Sequence, residues 1–211
     1  MGDKLNPKEK AWIGFEASLQ LIPYVGSALS TAYFGTKQEK RFKRLESFYE
    51  EFSRDVGEAS NHFVPFDQHE EDKVISLIEE LNEKVERESI KEKIDYFKNY
   101  LYSILATRTG NNFDERRFFL ETLSKMTLLE IGLLNEISTL VEPVRLSSLH
   151  REGVDQYAIV GAIGRLRSNG YLKLENRTIA FTGGDDSLHD SFIVSNFGQT
   201  FIDFCIQTDG Y

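Results

Sequence analysis

Apolar residues recur at steps of three and four through much of this chain, the spacing that places them on one stripe of an α-helix. From Gln38 onward Phe42, Leu45, Tyr49, Phe52 and Val56 form one such stripe. Pro65 and Asp67 mark a new start, after which Val74, Leu77, Ile78, Leu81 and Val85 form a second, and Ile90, Ile94, Phe97, Leu101 and Ile104 a third. "SIKE" at Ser89 to Glu92 has the form of a capping box opening the third helix. "TGNNFDERR" from Thr109 reads as a loop and "FFLETLSKM" as the helix after it. "TLLE" at Thr127 to Glu130 is a second capping box, for a helix running to about Leu140 that Pro143 ends. Nearer the start, Asn6, Pro7 and Glu9 open a helix that Pro23 and Gly26 break in two. Stripes of this length must be buried against one another or a partner, so residues 1–120 are expected to form a helical bundle region.

Beyond Pro143 the pattern changes. An extended piece "VEPVRL" leads to a short helix from Ser147 or Ser148, a turn at Gly153, a further helix and a hairpin. In that further helix Ile159, Ala162, Ile163 and Leu166 form the inward stripe, which turns Tyr157, Gly161, Gly164 and Ser168 outward. Gly170 can take the left-handed conformation that ends a helix, and Asn176 with Arg177 can close a hairpin. Ser195 fits the N-cap of a closing helix in which Phe197, Phe201, Phe204 and Cys205 share a face.

In this order of elements residues 127–207 resemble the winged helix-turn-helix superfamily as bacterial regulators use it. "AIGRLRSNGYL" is similar to its theme of helix, glycine turn and apolar strand entry, and "VSNFGQTFI" to its closing segment. The expected fold is therefore mainly α, a helical N-terminal region followed by a winged helix over 121–211 with a small β-hairpin wing. The resemblance implies DNA binding, with the recognition helix in the major groove and the wing on phosphates. Gln156, Arg165, Arg167, Lys173 and Arg177 are the candidate nucleic-acid contacts.

The outward face argues differently. Two glycines in a helix interior cost roughly 1 kcal/mol each relative to alanine, and Tyr157, Gly161, Gly164 and Ser168 offer few donors for base edges. Such a smooth face suits close approach by another surface: the first helices of the same chain, a protein partner or second copy, or a DNA backbone.

With 25 Lys and Arg against 34 Asp and Glu the net charge is −9, which opposes nonspecific attraction to polyanions unless positive charge is locally concentrated. The single cysteine, Cys205, cannot form an internal disulfide, and "MGDKLNPKEK" has no apolar core of the signal-peptide kind; a cytoplasmic location is expected. Residues 11–35 are largely apolar with one charge, Glu16, alongside Ser18, Gln20, Pro23, Ser27, Ser30 and Thr31, which argue against a stable membrane span, and are flanked by Lys4, Lys8 and Lys10 before and Lys37, Lys40, Arg41, Lys43 and Arg44 after. Trp12, Phe15, Tyr24 and Tyr33 mark this segment, which reads as a buried helical pair, a membrane-associating element or an oligomer interface.

No motif points to catalysis. "YVGSALSTAYFG" lacks the Gly-Lys-Ser/Thr ending of a phosphate loop, and the four histidines fall in no metal-ligand spacing. "HEED" at His69 to Asp72 reads as helix-start electrostatics, and "GGDDSLHD" from Gly183 lacks the alternating oxygens of a calcium loop. The expectation is a non-enzymatic binding protein of bacterial type, without cofactor, metal or small-molecule substrate, whose winged helix is a protein interaction or dimerisation platform in a regulatory role. A DNA-binding transcriptional regulator is the alternative, and a membrane-associated protein acting through 11–35 the third reading.

Overall fold

A computed structural model of the chain describes residues 36–57, 63–65, 68–176, 188 and 190–207. The chain divides between Ser124 and Lys125 into two compact units. The described part of the first holds α1 (Thr36–Val56), α2 (Glu71–Arg87), α3 (Lys91–Ala106) and most of α4 (Phe113–Lys125). The apolar stripes become its core: Leu45, Tyr49, Phe52 and Val56 of α1, all five positions of the second stripe, and Phe97, Leu101 and Ile104 of α3 are buried. Each such aliphatic or aromatic side chain removed from water contributes about 1.5–3 kcal/mol. Phe48 and Tyr100, outside the strict stripes, are buried too, which widens the α1 and α3 faces to suit contact with more than one neighbour.

Two expectations about helix starts are corrected. Ser89 forms no capping box; Ile90 is the N-cap residue of α3, 40% exposed rather than in the core, and Ile94 is only half-buried. The Glu88 carboxylate takes over, accepting the amides of Ser89 at 2.8 Å and Ile90 at 2.9 Å while pairing with Lys93 at 3.0 Å. An ionised acceptor makes stronger bonds to orphan amides than a hydroxyl does. Burial opposes the charge on Glu88, but the Ile90 amide and Lys93 outweigh it and hold the carboxyl below its ordinary range. Likewise "FDERR" is not loop: α4 begins at Phe113, with Asp114 and Glu115 in its first turn, where the helix dipole favours acids.

Polar side chains tie the helices of this unit together at their ends. Arg44 of α1 donates to the Glu86 and Glu88 carbonyls, both at 3.0 Å, and so caps the C-terminus of α2. Lys98 of α3, buried, reaches Asp55 of α1 at 2.7 Å and Asp95 at 2.9 Å. Arg116 of α4 is 2% exposed and spans the end of α3, donating to the Thr107 hydroxyl at 2.6 Å, the Arg108 carbonyl at 2.8 Å and the Thr109 hydroxyl. His69 accepts the Thr109 amide on the other side of the same loop at 3.3 Å.

The second unit runs α5 (Leu128–Ser138), β1 (Val144–Arg145), a 3-10 turn (Leu146–Ser148), α6 (Gln156–Ser168), β2 (Leu172–Asn176), β3 (Ser191–Val194) and α7 (Asn196–Cys205). The chain is thus mainly helical with a small antiparallel sheet, as the periodicities predict. The short helix expected from Ser147 or Ser148 is instead the single turn from Leu146, which buries Leu146 and Leu149. Strand order is β1-β3-β2, with Val144 opposite Phe192 and Leu172 opposite Val194. Asn176, expected in the turn, is the last residue of β2 and pairs with Ser191, while Arg177 and the strand "TIAFT" fall outside the described residues.

The local signals of this unit are realised. Thr127 and Glu130 close a capping box on α5, Ser195 caps α7 by accepting the Gly198 amide, and Gly170 takes φ +80° after α6. Ser195 also donates its hydroxyl to the Gly170 carbonyl at 2.6 Å and its amide to the Tyr171 carbonyl at 2.9 Å. These bonds draw α7 onto the start of β2. There Gly198 lies so close that a Cβ would stand 2.2 Å from the Tyr171 carbonyl oxygen, while the Tyr171 ring stacks on Phe201 at 4.3 Å and on Phe197 at 5.7 Å.

Candidate interaction face

Helix α6 is set by its ends. Gly153 at φ +73° turns the chain, and the Asp155 carboxylate accepts the Tyr157 amide at 2.8 Å as N-cap. From there Ile159, Ala162, Ile163 and Leu166 are buried, as the stripe requires. Their burial fixes the rotation of the helix: Tyr157 is 62% exposed, and Gly161, Gly164 and Ser168 are exposed with it. Ser168 returns its hydroxyl to the Gly164 carbonyl at 2.9 Å, so the face carries few free polar groups. Among the described residues nothing approaches within 4 Å of a Cβ placed on Gly164, and at Gly161 such an atom would meet only the end of Arg165, at 3.9 Å. The packing that would explain these glycines is therefore missing among the described residues of their own unit.

The five candidate nucleic-acid contacts stand differently. Arg165 pairs with Glu130 of α5 at 2.6 Å, and Gln156 donates to the Leu146 carbonyl at 3.2 Å. Lys173 lies 3.4 Å from Glu175, Arg167 is exposed, and Arg177 is outside the described residues, as are Trp12, Phe15, Tyr24 and Tyr33. Two of the donors on α6 thus hold bonds within the unit's own frame.

Glu130 is the residue that periodicity does not find. It is 3% exposed, and one of its oxygens accepts both the amide and the hydroxyl of Thr127 at 2.7 Å while the other takes Arg165. Burial alone would raise this carboxyl, yet the bonds from Arg165 and Thr127 outweigh it and hold the group below its ordinary range. The capping box was legible; the partner thirty-five positions away was not, because nothing in local spacing records it.

A pH dependence follows. Since the folded carboxyl is depressed, the stability from Glu130 is fully present above the unfolded value near 4.3 and is lost as pH falls through the lower folded value. Acid unfolding of the Glu130→Gln variant should show a shallower loss between about pH 5 and 3 than the parent. Identical slopes would remove this role.

Among the described residues no three of His, Cys, Asp and Glu are grouped to hold a metal ion, and no helix is long and apolar enough to cross a membrane. Cys205 is fully buried on α7, and burial pushes its thiol well above the ordinary value, which makes it an inert packing group. No known protein family, characterised protein or solved structure matches the chain.

Proposed function

We propose that this is a non-enzymatic binding protein in which Lys125–Gln207 is a winged-helix unit serving as a protein interaction or dimerisation platform in a regulatory role. The observation that carries the reading is the outward face of α6, where Gly164 has open space above it and Gly161 only the end of Arg165, beside an exposed Tyr157. The winged-helix assignment is supported by the element order and by β1 pairing with β3 beside β2. Exposed helix-interior glycines weaken a helix without a return among the described residues of its unit, and small residues let a second surface approach closely. Tyrosine adds a large amphipathic anchor at low entropic cost.

The test uses substitutions with opposite effects on stability and binding. Gly161→Ala and Gly164→Ala should each stabilise the unit by about 0.5–1 kcal/mol, read as a rise in melting temperature. Gly161→Gln with Gly164→Gln should leave the fold intact and lower self-association, or retention of a specific protein by the tagged chain, by at least about tenfold. A folded double variant that keeps every association of the parent overturns the platform.

The second reading, a DNA-binding regulator, draws on the exposed Arg167 with Lys173 on β2. Arg165 holds the buried Glu130 through its Nε and is 60% exposed, so the same side chain can keep that ion pair and offer the rest of its guanidinium to a phosphate. Duplex binding that falls steeply with salt, with a slope reduced by about one for Arg167→Gln, would favour it over the platform.

A further inference from the structure

The outward face of α6 has a direction. Tyr157, bulky and 62% exposed, stands near its start, the small Ser168 ends it, and Gly161 and Gly164 lie between them. At about 100° per residue these four positions share one narrow sector of the helix. Charge runs in the same sense. Glu152 and the N-cap Asp155, both exposed, lead into the helix, whereas Arg165 and Arg167, exposed as well, sit in its last turns, and no acid stands between Gln156 and Ser168. Arg151, just before the acids, is spent on Glu136.

A face whose size and charge both reverse from one end to the other complements a copy of itself laid across it in the opposite direction. A two-fold axis between Gly161 and Gly164 sets the bulky end of each face over the small end of the other and the acidic start of each helix beside the basic end of its mate. The glycines then lie where the two backbones come closest, and the two macrodipoles run antiparallel. Arg165 fits the same picture: its Nε is held by the buried Glu130, and its guanidinium stands at the edge of the face, 3.9 Å from where a Cβ on Gly161 would be. Laid parallel and in register, the same helices would set tyrosine on tyrosine and arginine on arginine.

We propose that the α6 face docks a second copy of this chain, antiparallel, about a two-fold axis between Gly161 and Gly164. The proposal rests on the platform reading and supplies its occupant. A single helix pair is small for a specific interface, so the dimer is a weak one, with a dissociation constant of about 10–100 µM.

Sedimentation equilibrium of the full-length chain, taken up to about 500 µM, should show a monomer–dimer equilibrium in that range. Gly161→Gln with Gly164→Gln should weaken it at least about tenfold with an unchanged far-UV spectrum. Orientation is read by cysteines, since Cys205 is buried and stays silent. Positions 157 and 168 lie about 16 Å apart along one helix, too far for a bond within a chain or between like positions of the antiparallel pair. Ser168→Cys alone should therefore give no covalent dimer under mild oxidation, and Tyr157→Cys with Ser168→Cys in one chain should give one. A parent that stays monomeric throughout, a dimer untouched in a folded glutamine variant, or a covalent dimer from Ser168→Cys alone would each overturn the proposal. A monomeric chain that still retains another protein through Gly161 and Gly164 would overturn the second copy and leave the platform standing.

Discussion

Gly198→Ala is expected to destabilise the second unit by about 3 kcal/mol, although alanine is the better helix former by about 1 kcal/mol. The new methyl carbon would stand 2.2 Å from the Tyr171 carbonyl oxygen and 2.9 Å from two further Tyr171 backbone atoms. Backbone cannot rotate out of the way as a side-chain end can. Helix α7 must therefore back off, loosening the ring stack of Tyr171 on Phe201 and the bonds from Ser195. Chemical denaturation followed by tyrosine near-UV dichroism measures the loss. The same substitution at Gly164, where there is open space, should have the opposite sign. A Gly198→Ala variant as stable as the parent would show that this close approach is not a constraint on the fold.

Arg116→Met should cost about as much in the first unit, roughly 3 kcal/mol, because the lost group is charged, buried and bonded several times. Methionine fills the stem but leaves the Arg108 carbonyl and the Thr107 and Thr109 hydroxyls without their donor. Arg116→Lys should recover less than half of the loss, since one ammonium cannot reproduce a planar fork that reaches both sides of the loop. Urea unfolding of the three proteins checks the order. A lysine variant equal to the parent would mean that charge alone, and not the fork, holds the end of α3.

What the sequence discloses divides by range. Stripes such as Val74 to Val85 translate directly into burial because period and burial share one cause, the face a helix turns to its neighbours. The caps at Thr127 and Ser195 and the left-handed Gly170 are equally legible, since each needs only residues within a few positions. Ser89 misled because the competing acceptor, Glu88, stands just before the motif and draws its charge balance from Lys93. Gly198 carries no local signal of its role: its constraint is the Tyr171 backbone just before β2, many positions earlier. On the candidate face, the rotation of α6 was readable, and so was the exposure of Tyr157, Gly161 and Gly164. That Arg165 is bound to Glu130, and Gln156 to the Leu146 carbonyl, was not, because both are tertiary contacts.

The strand order has a consequence for how the second unit comes to exist. β3 is the middle strand, and both β1 and β2 precede it in the chain. Until Ser191–Val194 arrives, the two earlier strands lack the partner they have among the described residues, while α5 and α6 can already associate. Sheet closure is thus a late, non-local event, slowed by the loop entropy of bringing β1 to a strand beyond α6 and β2. A chain interrupted before residue 190 would leave β1 without the strand it pairs with among the described residues, and its hazard would be aggregation through that open edge rather than mere loss of binding.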